Sequence, residues 1–200
     1  MAVLALVVLV VWLAVVAGLR TYIGYRQTGT VATLVRPETG SPAWWAKGIS
    51  SVGFVLAIAA PIAELIGLAS IEAIDQVPIR YAGLAIAIAG IGGSLAAQLA
   101  MGSSWRGDVD PDARTPLVTN GPFRVVRNPI LSCTAATAIG LALMVPNVLA
   151  LLMLAAILVG IQVQVRLVEE PYLERVHGDD YRRYASRTGR FLPGLGRMRA

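Results

Sequence analysis

Five long apolar blocks constrain this chain more than any other feature. They occupy residues 2–19, 49–70, 79–101, 129–145 and 147–168. A helix that crosses the hydrocarbon core of a bilayer needs about 20 apolar residues, within a range of roughly 17–25. Four of the blocks meet that requirement comfortably. The fourth is short, and the Pro146-Asn147 step that joins it to the fifth predicts a tight helical hairpin, whose short arm is accommodated by local bilayer thinning. Only 14% of the 200 residues are charged and the mean hydropathy is +0.67, whereas a soluble domain carries about 25% charged residues. Most of the surface therefore does not meet water. The expected architecture is all-α: an integral membrane bundle of five transmembrane helices, with a cytoplasmic loop and a C-terminal helix forming the site. Residues 1–101 supply the first three helices. Residues 102–200 supply the loop, the transmembrane hairpin and the C-terminal helix.

The net charge of +5 and the pI near 9.9 would suit a nucleic-acid partner only if basic residues were interleaved over a folded surface. They fall instead between the apolar blocks. Arg20, Arg26, Arg36 and Lys47 lie in or near the first gap, Arg80 alone near the second, Arg106, Arg114, Arg124 and Arg127 in the third, none in the fourth, and Arg166, Arg175, Arg182, Arg183, Arg187, Arg190, Arg197 and Arg199 at or after the last exit. Sixteen of the seventeen thus occupy alternate gaps. The positive-inside rule places those gaps in the cytoplasm and the N-terminus outside, which requires an odd number of crossings. The partners this implies are membrane lipids and no nucleic acid. The first block lacks a positive leading segment, its first charge being Arg20, and reads as a retained helix rather than a cleaved signal.

Single cysteine and histidine residues, Cys133 and His177, leave no internal disulfide, no cysteine-built zinc site and no histidine-rich metal site, so no metal is expected. Gly83, Gly90, Gly92, Gly93 and Ala97 would let a neighbouring backbone approach the third helix, and that glycine-rich face could equally serve a dimer; the oligomeric state is open. Gly90-Ile91-Gly92-Gly93 sits inside an apolar helix without a preceding strand, so it is no dinucleotide fingerprint. Glu64 is the one ionisable residue deep inside a block. It is either functional or a carboxyl facing the bundle interior near the outer third of the helix, where protonation would spare it a buried charge.

The polar residues able to carry chemistry gather in the third gap and the tail. Asn120-Gly121-Pro122 is a turn signal. Asn128 stands where a helix N-cap is expected, with Pro129 at the first helical position, and a helix N-terminus suits an anionic or polar ligand group. Arg124 and Arg127 beside it could contact either lipid headgroups or a ligand. Arg166, Glu169, Glu170 and Leu173 recur at helical spacing on one face, where Arg166 and Glu170 could form a surface pair. Pro171 predicts a kink or a fresh helix start. Helix-forming composition continues to about residue 186, and Gly189, Pro193, Gly194 and Gly196 end regular structure.

Two stretches resemble the isoprenylcysteine carboxyl methyltransferase family. Leu117-Val118-Thr119-Asn120-Gly121-Pro122-Phe123-Arg124-Val125-Val126-Arg127-Asn128-Pro129 is similar to the motif before that family's last helical hairpin. Glu169-Glu170-x-x-Leu173, Gly178-x-x-Tyr181-x-x-Tyr184-x-x-Arg187 and Arg190-x-x-Pro193 are similar to its C-terminal signature. The wider group takes in phospholipid N-methyltransferases and sterol reductases. The resemblance covers residues 102–193 and implies a membrane methyltransferase using S-adenosyl-L-methionine. It places cofactor contacts on Leu117, Val118, Phe123, Asn128, Pro129, Ile130, Leu131 and Glu169. It gives Arg166 and Glu170 catalytic roles, Arg166 orienting an acceptor carboxylate. Asn128 departs from the family's usual His, so a ring contact becomes an amide hydrogen bond. The family's orienting Arg lies a little further before the glutamate pair than Arg166 does. His177 replaces an aromatic and reads as packing.

Methyl transfer from a sulfonium to an ionised carboxylate needs no metal, general base or nucleophilic side chain, only positioning and exclusion of water. The leading expectation is therefore methylation of a lipophilic small molecule or lipidated substrate, by carboxyl O-methylation of an isoprenylcysteine-like or other lipid. Two alternatives stand beside it: an NADPH-dependent reductase on the same scaffold, and a non-catalytic membrane adaptor whose Arg182, Arg183 and Arg187 bind anionic lipid or a partner.

Overall fold

The computed structural model describes residues 1–19, 37–101 and 116–198. The charges at Arg20, Arg26, Arg36, Arg106, Arg114 and Arg199 lie outside the described residues. Helices α1 (Ala2–Trp12), α2 (Pro42–Leu65), α3 (Val77–Met101), α4 (Pro129–Met144), α5 (Val148–Gln164), α6 (Glu170–His177) and α7 (Asp179–Arg187) make up the body. A π-turn at Leu13–Leu19 extends α1, and Gly121–Arg124 forms a short 3-10 turn. Among the described residues there is no strand. The isolated parallel bridge Val126–Gly189 is the one β-type pairing.

Among the described residues, three helices are long and apolar enough to cross a membrane: Pro42–Leu65, Val77–Met101 and the continuous Val148–His177. Ala2–Val15 and Pro129–Met144 are apolar but shorter. Helix α2 starts seven residues before its apolar block because Ser41 caps it, its Oγ accepting from Trp44 N–H at 3.2 Å, with Pro42 in the first turn. It also stops earlier than the apolar run. Gly67, at φ 103°, turns the chain left-handed, and Leu68 N–H reaches back to Ala63 O at 2.8 Å while Gly67 N–H bonds Glu64 O. That pattern closes a helix C-terminus.

Close helix pairs form where glycine removes the side chain. On the α3–α4 crossing, a Cβ at Gly83 would lie 2.6 Å from Gly140 O, and one at Gly140 would lie 2.5 Å from Ala87 N. Gly90 meets Thr137, and Gly93 meets the Cys133 sulfur. The glycines of α3 are thus spent inside the chain, apart from Gly92, which faces open space. Helices α2 and α5 pair in the same way, through Gly53 against Ile157 and Gly160 against Ser50. Helix α1 leans on this assembly, Trp12 stacking on Phe54 with ring centroids 5.2 Å apart.

One end of the bundle is closed by polar ties. Asn147 is fully buried in the hairpin turn. Its Oδ1 accepts from Ala150 N–H at 3.0 Å, and its amide donates to Ala60 O at 2.9 Å. Ile71 N–H bonds Pro146 O. Arg80 donates to Glu64 Oε1 at 2.7 Å, Asp75 Oδ1 at 2.6 Å, Ser70 Oγ and Met144 O. Glu64 is therefore the partner of Arg80 across the α2–α3 turn. The opposite end gathers the start of α2, the end of α3, the start of α4 and the exit of α5. That is the polar lip.

Helix α5 runs on into α6 through a π-turn at Val165–Glu169. Pro171 has no N–H and its ring would collide with a carbonyl four residues back. Widening the turn, with Glu170 N–H bonding Val165 O five residues back, carries the helix through. The helix is therefore continuous past Pro171 to His177. The break falls at Gly178, whose φ of 51° and ψ of −123° separate α6 from α7.

Candidate functional site

A buried ion cluster joins the two signature stretches. Arg127 and Glu170 are only 6% and 5% exposed. Arg127 donates to Glu170 Oε1 at 2.7 Å, to Ala185 O at 3.0 Å, to Thr188 O at 2.6 Å and to Gly196 O at 3.1 Å. Arg190 grips the same carboxylate in a fork, Nε to Oε1 at 2.8 Å and a terminal nitrogen to Oε2 at 2.9 Å. A buried charge costs several kcal/mol unless it is paired and hydrogen-bonded. Here one carboxylate answers two guanidinium groups, and backbone carbonyls absorb most of the remaining donors of Arg127.

Backbone pairing extends the junction. Arg127 N–H bonds Gly189 O at 2.8 Å, Asn128 N–H bonds Arg190 O at 3.1 Å, and Arg190 N–H bonds Leu195 O at 2.7 Å. Ser132 Oγ donates to Phe191 O at 2.8 Å, and Tyr184 OH donates to Phe123 O at 2.6 Å. The C-terminal segment after α7 is therefore a strap laid over the start of α4. Gly189 sits where a Cβ would come within 2.8 Å of Gly194 N and Leu195 O, so the strap turns there only because the residue is glycine. Burial pushes the Tyr184 phenol up to about 12. Burial, then the Glu170 charge, do the same for Tyr181.

Against this geometry the expected site residues divide. Glu170 does not pair with Arg166, as their spacing suggested. Its carboxylate is taken by Arg127 and Arg190, and Arg166 is exposed and donates to Gln162 Oε1 at 2.8 Å. The π-turn is the reason, since an extra residue in one turn rotates Glu170 off the Arg166 face. Arg127 is buried in protein, not in contact with headgroups. Asn128 holds the N-cap position but does not cap with its side chain, which donates to Arg190 O at 3.1 Å. Pro129 opens α4 as expected, followed by Ile130 and Leu131 in its first turn. Glu169 does not join the arginine pair. It is half-buried, accepts from Gln164 Nε2 at 3.3 Å, and pairs with no cation among the described residues. Phe123 is buried in the 3-10 turn, and Leu117 and Val118 are half-buried in the extended chain before it. None of the described contacts ties Leu117 or Val118 to Glu169. His177 ends α6, half-buried. Arg190, Gln164 and Ser132 escaped the sequence reading as site residues; Arg190 alone had a signal, its place in the C-terminal signature.

The family model described as phospholipid methyltransferase matches residues 79–180. This chain belongs to that family. The match runs from α3 through the lip, the α4–α5 hairpin and α6 into α7, and includes Arg127, Asn128, Glu169 and Glu170. Phospholipid methyltransferases are membrane methyltransferases that generally use S-adenosylmethionine, in keeping with the resemblance seen in the sequence. No curated protein matches the chain.

Proposed function

We propose that this chain transfers the methyl group of S-adenosyl-L-methionine to a lipophilic acceptor at the polar lip, by carboxyl O-methylation of an isoprenylcysteine-like or other lipid. The observation that carries the reading is the division of labour between adjacent glutamates. Glu170 is consumed by Arg127 and Arg190, while the adjacent Glu169 carboxylate accepts from Gln164 and meets no cation among the described residues. A cationic donor needs such a carboxylate near its ammonium and sulfonium groups. Its own carboxylate suits the first-turn N–H groups of Ile130 and Leu131, which the Asn128 side chain leaves uncapped. Pro129, Phe123, Leu117 and Val118 would supply apolar walls.

When bound, the donor supplies an activated methyl group. The acceptor oxygen forms the new C–O bond as the C–S bond breaks, and two opposite charges become two neutral products. That charge annihilation is favoured in a water-poor lip. Arg166, exposed one turn before Glu169, would orient an acceptor carboxylate arriving from the bilayer. Glu170 acts through Arg127 and Arg190 as a positioning residue.

The same reading takes α1 and α4 as short crossings beside the three long ones, giving five spans with the N-terminus outside and the lip and C-terminus cytoplasmic. Binding of radiolabelled S-adenosylmethionine to the purified full chain is the test. Saturable binding lost in Glu169→Gln supports the proposal. Absence of binding by the unsubstituted chain, with a thermal shift on NADPH, would favour the reductase alternative instead.

A further inference from the structure

The arginines around the lip fall into two groups. In α7, Arg182 is held by Asp179 at 2.6 Å and Glu174 at 3.0 Å, and Arg183 is held by Asp180. Those charges are paired locally, so two of the three arginines an adaptor would use, Arg182 and Arg183, already have carboxylate partners. Arg127 and Arg190 are consumed by Glu170. Arg166 donates to Gln162 and Arg175 lies over the Tyr172 ring; on the turn, the end of α7 and the strap stand Arg124, Arg187 and Arg197. All three are exposed, and no carboxylate among the described residues pairs with them.

Apolar side chains stand out among these unpaired cations. Val125 is 56% exposed, Leu192 59% and Leu195 63%. They are not on a frayed end. Val126 bridges Gly189, Leu195 N–H bonds Leu192 O, Arg190 N–H bonds Leu195 O, and Arg127 holds Gly196 O. The strap is therefore a hydrogen-bonded turn that presents two leucines outward, next to Arg197 and beside the Arg124-Val125 step. Exposed single apolar residues are ordinary. Three of them in one tied segment, interleaved with unpaired arginines at the end of a membrane-crossing bundle, have the chemistry of an interfacial anchor.

We infer that the strap and the Gly121–Arg124 turn dock on an anionic bilayer surface, with Leu192, Leu195 and Val125 dipping among the acyl carbonyls and Arg124, Arg187 and Arg197 on lipid phosphates. The inference is independent of methyl transfer. It makes the strap a two-sided element, clasped to the protein through Arg127 and Arg190 and to the membrane through its leucines.

The test places an environment-sensitive fluorophore on the full chain at Leu195→Cys in a Cys133→Ser background, Cys133 being the one native cysteine. The protein is reconstituted in bilayers of phosphatidylcholine, with or without phosphatidylglycerol. Expected is quenching by a shallow lipid-borne nitroxide, with quenching by aqueous acrylamide, an uncharged quencher that the anionic surface does not repel, about fivefold weaker in the anionic bilayer. That protection should be lost in Arg124→Gln/Arg187→Gln/Arg197→Gln. High salt should also remove it from the chain with all three arginines intact, a readout that does not depend on the triple variant folding. Equal acrylamide quenching in both bilayers overturns the inference. So does protection from acrylamide without nitroxide quenching, which would mean a protein covers the surface, a second copy included.

Discussion

At Glu170 two guanidinium groups share one carboxylate in a site nearly closed to water. Removing one partner of such a pair strands the others. Glu170→Gln and Arg127→Met should each lower unfolding stability by about 3–5 kcal/mol, read by chemical unfolding in detergent. Glu169→Gln should behave oppositely. It should weaken S-adenosylhomocysteine binding about tenfold or more, near 1.4 kcal/mol, while leaving stability almost unchanged. If both substitutions cost stability and neither alters cofactor affinity, the assignment of roles to the two glutamates fails. Tyr184 adds a pH dependence. Its phenol titrates near 12 in the folded chain against about 10 when unfolded, so the raised value contributes stability that is fully present below about pH 10 and is lost as pH rises towards 12. Tyr184→Phe should flatten that decline in a titration of unfolding stability.

Among the elements, the α3–α4 pair and the strap rest most heavily on missing side chains. Gly140→Val would drive its side chain into the backbone at Ala87 N and Gly83 O. Overpacking of this kind costs about 1–3 kcal/mol or more where backbone must give, and thermal unfolding should show it. Gly92→Val, on open space, is the control and should be nearly silent. Gly189→Ala should instead act locally, releasing the strap from Arg127 and exposing the segment after α7 to protease while α2–α5 keep their helical signal. Loss of helicity throughout would show that the strap is needed for the bundle itself.

On the scale of the molecule, the two ends of the bundle are chemically distinct. One is closed by Arg80 with Glu64 and Asp75, and by buried Asn147. The other carries the ion cluster, the strap and the unpaired arginines. The proposed orientation gives an expected outcome: single cysteines added at the N-terminus and at Ser186, in the Cys133→Ser background, should react with an impermeant reagent from opposite sides of a sealed vesicle. Labelling from the same side would imply an even number of crossings and remove the five-span reading.

The sequence alone determined the membrane-bound, all-helical character, because block length and charge deficit are local properties that lipid reads directly. It also determined the family, since both signature stretches are short and contiguous. The hairpin at Pro146 and Asn147, and Pro129 opening α4, were legible for the same local reason. Pairings between distant segments were not legible. Helical spacing pointed Glu170 at Arg166, and only the π-turn, a response to Pro171, swung it to Arg127 and Arg190, 43 positions before it and 20 after. Asn128 was legible as a cap by position, yet its amide belongs to Arg190 O because the strap lies within reach. Glu64 showed its cost in the sequence but not its partner, which comes from the next helix. Which charges are paired, and so which remain free for a cofactor or a membrane, is decided by distances between segments, and those exist only once the chain has folded.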